Sequence, residues 1–217
     1  MDWNAFAVSI KLAVSTVVLL LPLAILVARI LACSQFPGRF FVEAVIALPL
    51  VLPPSVLGFY FLLLFNPNAP LGHWLLEITG TSWVFSFPGL VAVSLIYSLP
   101  FAVQPLLRAF EAIPRQLREA AWCSGLSVWQ TFWRIELPLA RAGLISSLVL
   151  TFAHTLGEFG VVLMVGGNIP GQTRTLSVAI YDRVQAFDES SAGLMSLLLL
   201  GFSLLVVTFV YAIERRR

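Results

Sequence analysis

Long apolar runs separated by short polar segments organise this sequence. A helix needs about 20 mostly apolar residues to cross the hydrocarbon core of a bilayer, with a range of about 17 to 25. Five runs meet that requirement, and they cover residues 12–28, 40–65, 88–107, 143–165 and 192–213. The pattern therefore predicts an all-α, polytopic membrane protein with about five transmembrane helices in a single domain of residues 1–217.

Two of these runs contain more than one proline. Pro49, Pro53 and Pro54 lie in the second run, and Pro100 and Pro105 lie in the third. A proline inside a helix removes a backbone hydrogen bond and kinks the helix. The sequence leaves two interpretations of a break at Pro53 and Pro54 open. Either the break lines a path through the membrane, or it is a kink that only serves packing between helices.

The segment of residues 111–141 is polar and long enough to fold on its own between the third and fourth runs. Pro114 suits the first turn of a helix, where its missing N–H has no partner in any case. Gly125 is expected to end that helix. One face of the helix would carry Leu117, Ala120, Ala121 and Ser124.

A second short helix is expected directly after the glycine. Ser127 and Gln130 have capping-box spacing, so the helix begins near residue 128. It is expected to run to about Ile135, before Pro138 breaks it. The two short helices form either a docking surface for a partner or an amphipathic loop that rests on lipid headgroups.

Composition and charge place the chain in a bilayer. Hydrophobic residues make up 59% of the sequence and charged residues only 11%, which is too little charge to cover a soluble domain of this size. The five runs place ten of the thirteen basic residues on one side of the membrane: Arg29, Arg39, Arg108, Arg115, Arg118, Arg134, Arg141, Arg215, Arg216 and Arg217. The positive-inside rule then predicts an external N-terminus and a cytoplasmic C-terminus.

The remaining basic residues are Lys11, Arg174 and Arg183. Nowhere do basic residues form a stripe that tracks phosphates, so no nucleic-acid partner is expected. Cys33 and Cys123 fall on the cytoplasmic side, where thiols stay reduced, and no disulfide is expected.

No pattern of an enzyme is recognisable. A phosphate-binding loop needs a lysine after a glycine-rich turn, and the single lysine, Lys11, is far from any such turn. The sequence also has no serine nucleophile elbow, paired-carboxylate site or zinc-ligand cluster. We therefore assign no catalytic residue, no metal site and no cofactor to this chain, and any energy from ATP must come from a partner.

His154 and Glu158 are the ionisable pair inside the fourth run. Four residues apart in a helix, they would share a face. Intramembrane ionisable groups are candidates for function, and a proton relay, half of a metal site, and a structural or gate-lining pair are all possible. We favour the structural or gate-lining role, because one histidine and one glutamate make an incomplete metal site.

Two outer loops complete the pattern. Residues 66–86 predict a short interfacial helix near residues 73–78, and residues 166–191 contain Ile169, Leu176, Val178 and Ile180, which suggest a segment that dips back between the helices. The second loop also contains Asn168, Thr173, Arg174 and Thr175. Arg174 either helps to receive a dianion or anchors the loop and contacts a binding protein, and we favour the second role.

The polar segment carries a family motif. Its fixed letters are Glu119, Ala120, Ala121, Gly125, Ile135, Leu137 and Pro138. Their identity and spacing resemble the EAA loop of permease subunits of bacterial binding-protein-dependent ABC importers. The resemblance implies a type I importer fold in which residues 111–141, here called the coupling loop, dock into a separate ATPase subunit through Glu119 and the apolar residues around Gly125.

Further stretches are similar to the molybdate permease branch of that family, and the similarity covers nearly the whole chain. The stretches are residues 36–38, 48–54, 156–160 and 168–175. The resemblance implies a multi-pass protein of the bacterial inner membrane that forms a homodimer, with two ATPase subunits that bind ATP and Mg²⁺ and a periplasmic oxyanion-binding protein.

The cargo implied by the resemblance is molybdate, with tungstate as a near-isosteric companion. Transport would proceed by alternating access, and Glu158 would repel a bound dianion if it faces the cavity. A sulfate or thiosulfate importer is the nearest alternative. A channel or proton-coupled carrier that uses His154 and Glu158 without ATP is the more distant one.

Overall fold

The structure, a computed structural model, describes residues 2–215, and within them it contains helices and loops but no β-strand. The cytoplasmic placement predicted for Arg216 and Arg217 concerns residues outside the described range. The helices, in chain order, are α1 (Trp3–Cys33), α2 (Arg39–Ala47), α3 (Pro54–Phe65), α4 (Pro70–Thr79), α5 (Phe87–Tyr97), α6 (Leu99–Glu111), α7 (Arg115–Cys123), α8 (Val128–Thr131), α9 (Leu137–Leu139), α10 (Arg141–Gly157), α11 (Gly160–Gly166), α12 (Leu176–Gln185) and α13 (Glu189–Arg215).

Three helical stretches are long and apolar enough to cross a membrane: Trp3–Cys33, Phe87–Glu111 and Glu189–Phe209. Two further helix pairs qualify when each pair is taken together, although each is sharply bent. They are Arg39–Leu50 with Pro54–Phe65, and Val128–Leu139 with Arg141–Gly157. By length and composition the described residues hold three spans, or up to five if each bent pair is one span.

Helix α1 is longer than the predicted run of residues 12–28. It begins at Trp3 because the side chain of Asp2 accepts a hydrogen bond from the backbone N–H of Ala5 at 2.9 Å, which satisfies an end of the helix. Its buried face packs against α6 and α10. Ala24 and Ala28 are fully buried there, and their small side chains allow the helices to approach closely.

The second apolar run is interrupted at its prolines, where the sequence predicts a kinked or locally unwound helix. A short 3₁₀ turn, Leu48–Leu50, follows α2, and the chain then bends by 103° before α3. Pro53, in an extended conformation, directly precedes α3, and Pro54 opens it. Consecutive prolines remove two backbone donors in a row, so the helix is locally unwound before Pro54.

The third run follows its prediction more closely. It is interrupted at Ser98, between α5 and α6, and Pro100 lies in the first turn of α6. Pro105 lies inside α6. The two helices nevertheless form one continuous stretch of 25 residues that leads directly into the coupling loop.

The fourth run breaks where a continuous helix was predicted. Helix α10 ends at Gly157, Glu158 has an extended backbone with ψ of 136°, and α11 begins at Gly160. A Cβ on Gly160 would lie 2.8 Å from the Cβ of Pro54, so this break packs directly on the start of α3. The two interruptions therefore meet, and glycine at position 160 permits that close approach.

The outer segments agree with their predictions. Helix α4 contains the expected interfacial helix and extends it to ten residues. Leu176 and Val178 of α12 are completely buried, in contact with apolar residues that include Ala5 and Leu12 of α1. The predicted inward dip of the second outer loop is thus present as a packed helix.

Candidate coupling surface and intramembrane polar cluster

The first helix of the coupling loop has the predicted start and stop. Pro114 is the residue before α7, and Gly125 follows it with φ of +84°. In that left-handed conformation the N–H of Gly125 donates to Trp122 and the N–H of Leu126 donates to Ala121. Glycine adopts this conformation without the Cβ penalty of other residues, which explains its position at the turn.

The second helix begins as predicted and ends differently. Both halves of the capping box are present: Gln130 N–H donates to Ser127 Oγ at 3.2 Å, and Ser127 N–H donates to Gln130 Oε1 at 2.9 Å. The prediction that Pro138 ends the helix near Ile135 is wrong. The chain widens into a π turn, Phe132–Glu136, and continues through α9.

The π turn has a physical reason. In a regular α-helix the ring of Pro138 would press on a carbonyl of the preceding turn. In the widened turn Leu137 N–H donates to Phe132 O, five residues back, and the extra residue makes room ahead of the proline. The chain then bends by 71° into α10.

Some of the motif residues are exposed to solvent, and the others are packed against neighbouring residues. Glu119, Ala120, Gly125 and Pro138 are exposed. The packed residues are Ala121, which is buried, and Ile135 and Leu137, which are partly buried. Glu119 Oε1 accepts a hydrogen bond from Arg115 Nε at 2.8 Å, so its carboxylate is held at the surface.

The same two short helices also expose large apolar side chains. We call this set the apolar patch, and its members are Leu117, Trp122, Val128, Trp129 and Trp133. Each is between 43% and 61% exposed, although the coupling loop is otherwise polar. Such a concentration of exposed tryptophan is typical of a surface that is covered by a partner.

A buried ion cluster holds the coupling loop to the helices beneath it. Glu136, in the π turn, lies between Arg29 of α1 and Arg118 of α7. This cluster was not predicted from the sequence, because Arg29 and Arg118 served only to orient the chain in the membrane and Glu136 was not considered. The available signal was a lone carboxylate in the apolar stretch Ile135-Glu136-Leu137.

A cleft of about 840 Å³ opens beside this cluster. It lies between the end of α1 and the coupling loop, and Cys33, Trp122 and Val128 are among its lining residues. Cys33 and Cys123 are both exposed free thiols, as the sequence predicted.

His154 is enclosed by aromatic and hydroxyl groups. Its Nδ1 shares a hydrogen bond with Ser98 Oγ at 3.1 Å. Its ring stacks on Phe101, with 4.0 Å between ring centroids, and Tyr97 lies on another side at 4.9 Å. Ser98 is the residue at the α5–α6 interruption, so the histidine stabilises the position of that interruption.

Glu158 does not share a helical face with His154, because the helix ends between them. Its carboxylate is 6% exposed. Oε2 accepts a hydrogen bond from Ser94 Oγ at 3.5 Å, and Oε1 has no hydrogen-bond partner among the described residues. Repulsion of a dianion by Glu158 required this side chain to face the cavity; the side chain is buried here, and the repulsion stays a prediction.

The two prolines of the second run, Pro53 and Pro54, are both exposed to a large extent. Pro54 nevertheless contacts Gly160 on one side. That contact supports the packing interpretation for Pro54, and a pathway-lining role for the pair stays a prediction. No group of three or more histidine, cysteine or acidic residues that would hold a metal ion occurs within residues 2–215.

The outer-loop residues are held by each other and by neighbouring helices. Arg174 Nε donates to Asn168 Oδ1 at 2.6 Å, and Asn168 Nδ2 donates to Asp182 Oδ2 at 2.7 Å. The guanidinium also lies 3.7 Å from carboxylate oxygens of Asp2 and Asp182. This arrangement favours the anchoring role that the sequence suggested for Arg174.

The flanking threonines are buried. Thr173 Oγ1 donates to Gly166 O at 2.6 Å, which ties the loop to the end of α11. Thr175 precedes α12, and its hydroxyl has no hydrogen-bond partner among the described residues.

On the same side of the molecule, the exposed Lys11 places Nζ 4.4 Å from the ring centroid of Phe87.

Comparison with known proteins decides the family. Residues 11–217 match the model of the binding-protein-dependent transport system inner membrane component. The chain belongs to this permease family. The resemblance drawn from the coupling-loop motif is thereby confirmed, and within the family the chain is a transport subunit of the membrane.

The family members most similar to the chain include molybdenum permeases. The molybdenum transport system permease protein ModB of Azotobacter vinelandii is 45% identical over 215 residues, which is 99% of this chain and 95% of that protein. ModB of Haemophilus influenzae is 40% identical over 185 residues, covering 85% of this chain and 81% of that protein. The sulfate transport system permease protein CysW of Synechococcus elongatus is 35% identical over 186 residues, covering 86% and 65%.

Solved structures of the family share the fold. A bacterial ABC transporter involved in the import of the acidic polysaccharide alginate has a chain that superposes with a TM-score of 0.82 and 20% identity. The superposition covers 98% of this permease and 78% of that chain. The all-helical ABC-permease fold predicted from the sequence is therefore confirmed.

Proposed function

We propose that this chain is the permease subunit of an ATP-driven importer that moves molybdate, and also tungstate, across the bacterial inner membrane. The observation that carries the proposal is the coupling loop, which displays Glu119 and the apolar patch at one end of a bundle whose sequence is 45% identical to a molybdenum permease. The relatives named for molybdenum are more similar to the chain than those named for sulfate. A sulfate or thiosulfate importer is the second candidate.

In the proposed assembly two copies of the chain form the pathway, with five spans each, an external N-terminus and a cytoplasmic C-terminus. Two ATPase subunits, which bind ATP and Mg²⁺, cover the apolar patches. A periplasmic oxyanion-binding protein delivers cargo on the other side. The interruptions before Pro54 and Gly160 support alternating access, because such interruptions let parts of a bundle move against each other.

The cargo is tested by uptake into proteoliposomes that contain the permease, its ATPase subunit and its binding protein. We expect molybdate uptake that requires ATP, competes with tungstate and is weakly inhibited by sulfate. Uptake in which sulfate competes as well as tungstate would support the second candidate. Uptake that ignores ATP and follows a pH gradient would contradict the importer itself.

The coupling surface is tested by reversing the charge of Glu119. Glu119→Arg places a second cation beside Arg115 on a surface that a partner covers, and mismatched charge at a covered contact is costly. We expect uptake per ATP to fall by about tenfold or more. The matched control is Glu77→Arg, because Glu77 is an exposed carboxylate on α4 that pairs only with His73. Equal effects of both reversals would contradict docking at Glu119.

A further inference from the structure

The buried cluster at Glu136 joins three parts of the chain that are far apart in sequence. Oε2 accepts a hydrogen bond from Arg29 Nε at 2.5 Å, and Oε1 accepts one from Arg118 Nε at 2.9 Å. The side chain of Glu136 is 1% exposed, that of Arg118 is 11% exposed and that of Arg29 is 22% exposed. Each carboxylate oxygen therefore has its own guanidinium partner in a largely dehydrated site.

Both arginines have a further contact. Arg118 Nη2 donates to the backbone carbonyl of Phe110, near the end of α6, at 2.9 Å. The guanidinium of Arg29 lies over the ring of Phe132, 5.0 Å from its centroid. The cluster thus connects both halves of the coupling loop to the ends of α1 and α6.

This network contrasts with the other ion pairs at the same end of the molecule. Arg39 contacts Glu43 and Glu111, and Arg115 contacts Glu119, but in these pairs every side chain is at least 27% exposed, whereas the carboxylate of the cluster, Glu136, is 1% exposed. Exposed pairs are screened by water and constrain geometry weakly. A buried pair adds little stability over an apolar substitute, yet its directional hydrogen bonds restrict how its elements are arranged.

We propose that Glu136 is a positioning residue for energy coupling. By holding Arg118 of α7 and Arg29 of α1 on one carboxylate, it makes the coupling loop and the end of α1 move as one body when the ATPase subunits close. This inference rests on the proposed function. Without the cluster, the apolar patch still docks, but its displacement is absorbed in the cleft instead of reaching α1.

Two variants separate this role from general stability. Glu136→Gln removes the charge and one acceptor oxygen, and it leaves the buried guanidinium of Arg118 and the partly buried one of Arg29 without a carboxylate. Arg29→Gln is milder, because Glu136 keeps its pair with Arg118 while the link to α1 is lost. The matched control is Arg39→Gln. It removes the ion pairs of Arg39 with Glu43 and Glu111, which lie at the same end of the molecule as the cluster.

The experiment uses the complete transporter in lipid nanodiscs and proteoliposomes. Uptake and ATP hydrolysis are measured together, and spin labels on the native Cys33 and Cys123 report the distance between the end of α1 and the end of α7. In the parent we expect the same narrow distance distribution with and without bound ATP. In Glu136→Gln and Arg29→Gln we expect uptake per ATP to fall at least about fivefold, hydrolysis to stay within about twofold, and the distance distribution to broaden.

Contrary results are equally specific. A parent distance that changes with ATP would overturn the proposal, because the two elements would then move separately. Parent-like uptake per ATP in Arg29→Gln would overturn it as well, and so would an equal loss in Arg39→Gln. A different result would contradict the proposed function itself: uptake by the parent transporter that does not depend on ATP.

Discussion

Gly143 lies where α10 crosses α6, and its missing side chain is what allows the crossing. A Cβ at this position would lie 2.4 Å from the Cβ of Ala109 and 2.7 Å from the backbone carbonyl oxygen of Pro105. Neither contact is with a flexible side chain, so the helices themselves would have to separate. Close approach through glycine is a common way to pack helices in a membrane, where tight packing replaces the hydrophobic effect.

Gly143→Ala is therefore expected to destabilise the permease by about 1 to 3 kcal/mol, as overpacking of a rigid contact does. The measurement is the thermal unfolding midpoint of the purified protein in detergent. Gly201→Ala is the matched control, because Gly201 of α13 has open space around its Cβ position and a helical alanine costs nothing there. Equal midpoints for the two variants would contradict the tight crossing.

Arg174 makes a second prediction at the scale of a residue. Arg174→Ala removes the partner of Asp182 and Asn168, and we expect a loss of about 1 kcal/mol in stability because the site is partly exposed. If Arg174 anchors the loop, maximal uptake falls while the molybdate concentration for half-maximal uptake is unchanged. Arg183→Ala, which removes a single ion pair in a more exposed position, is the control. A rise in the half-maximal concentration with unchanged maximal uptake would instead indicate contact with the anion.

At the scale of an element, the coupling loop is a pair of short helices whose relative direction depends on one turn. Gly125 has positive φ and open space around its Cβ position, so any substitution there meets backbone strain but no clash. Asparagine tolerates the left-handed conformation far better than a β-branched residue does. The turn can therefore be perturbed without filling any space.

We expect Gly125→Val to weaken binding of the ATPase subunit by about fivefold or more, since left-handed backbone costs roughly 1 to 2 kcal/mol in a residue with a Cβ. Gly125→Asn should bind nearly as well as the parent. The measurement is the affinity of the purified ATPase subunit for permease in nanodiscs. Equal affinity of both variants would show that the turn conformation is not required for docking.

At the scale of the whole molecule, interruptions in three apolar runs lie together. The start of α3 packs on the start of α11 through Pro54 and Gly160, and Ser98, at the interruption between α5 and α6, shares a hydrogen bond with Thr155 just before the break at Glu158. Broken helices leave backbone groups that need partners inside the protein. Ser177 Oγ donates to one such group, the carbonyl of Leu156 near the end of α10, at 3.5 Å.

This arrangement predicts how His154 and Glu158 behave in transport. Among the described residues, the carboxylate of Glu158 has one hydrogen-bond partner, Ser94, and Glu158→Gln keeps the size of the side chain. His154→Gln retains a polar group next to Ser98. We expect both variants to keep ATP-dependent molybdate uptake and to show none driven by a pH gradient. Complete loss of uptake in either variant, with the protein folded and the ATPase bound, would favour a proton-coupled carrier.

Local features were predictable from the sequence, and contacts between distant segments were not. Ser127 and Gln130 are three residues apart, and their capping box follows from spacing alone. Arg29 and Glu136 are 107 residues apart, and nothing in either neighbourhood specifies that they meet. The break at Glu158 likewise packs on Pro54 from another run, and the continuous helix expected for the fourth run was wrong.

Lys11 gives the molecule an unusual chemical asymmetry. It is the single lysine of the sequence, it is exposed near the start of α1, and it lies over the ring of Phe87. In the proposed orientation its amine faces the periplasm, while arginines, which do not react with acylating reagents, occupy the cytoplasmic face. A bilayer-impermeant acylating reagent applied to intact spheroplasts would then modify the peptide that contains Lys11 without any engineered site.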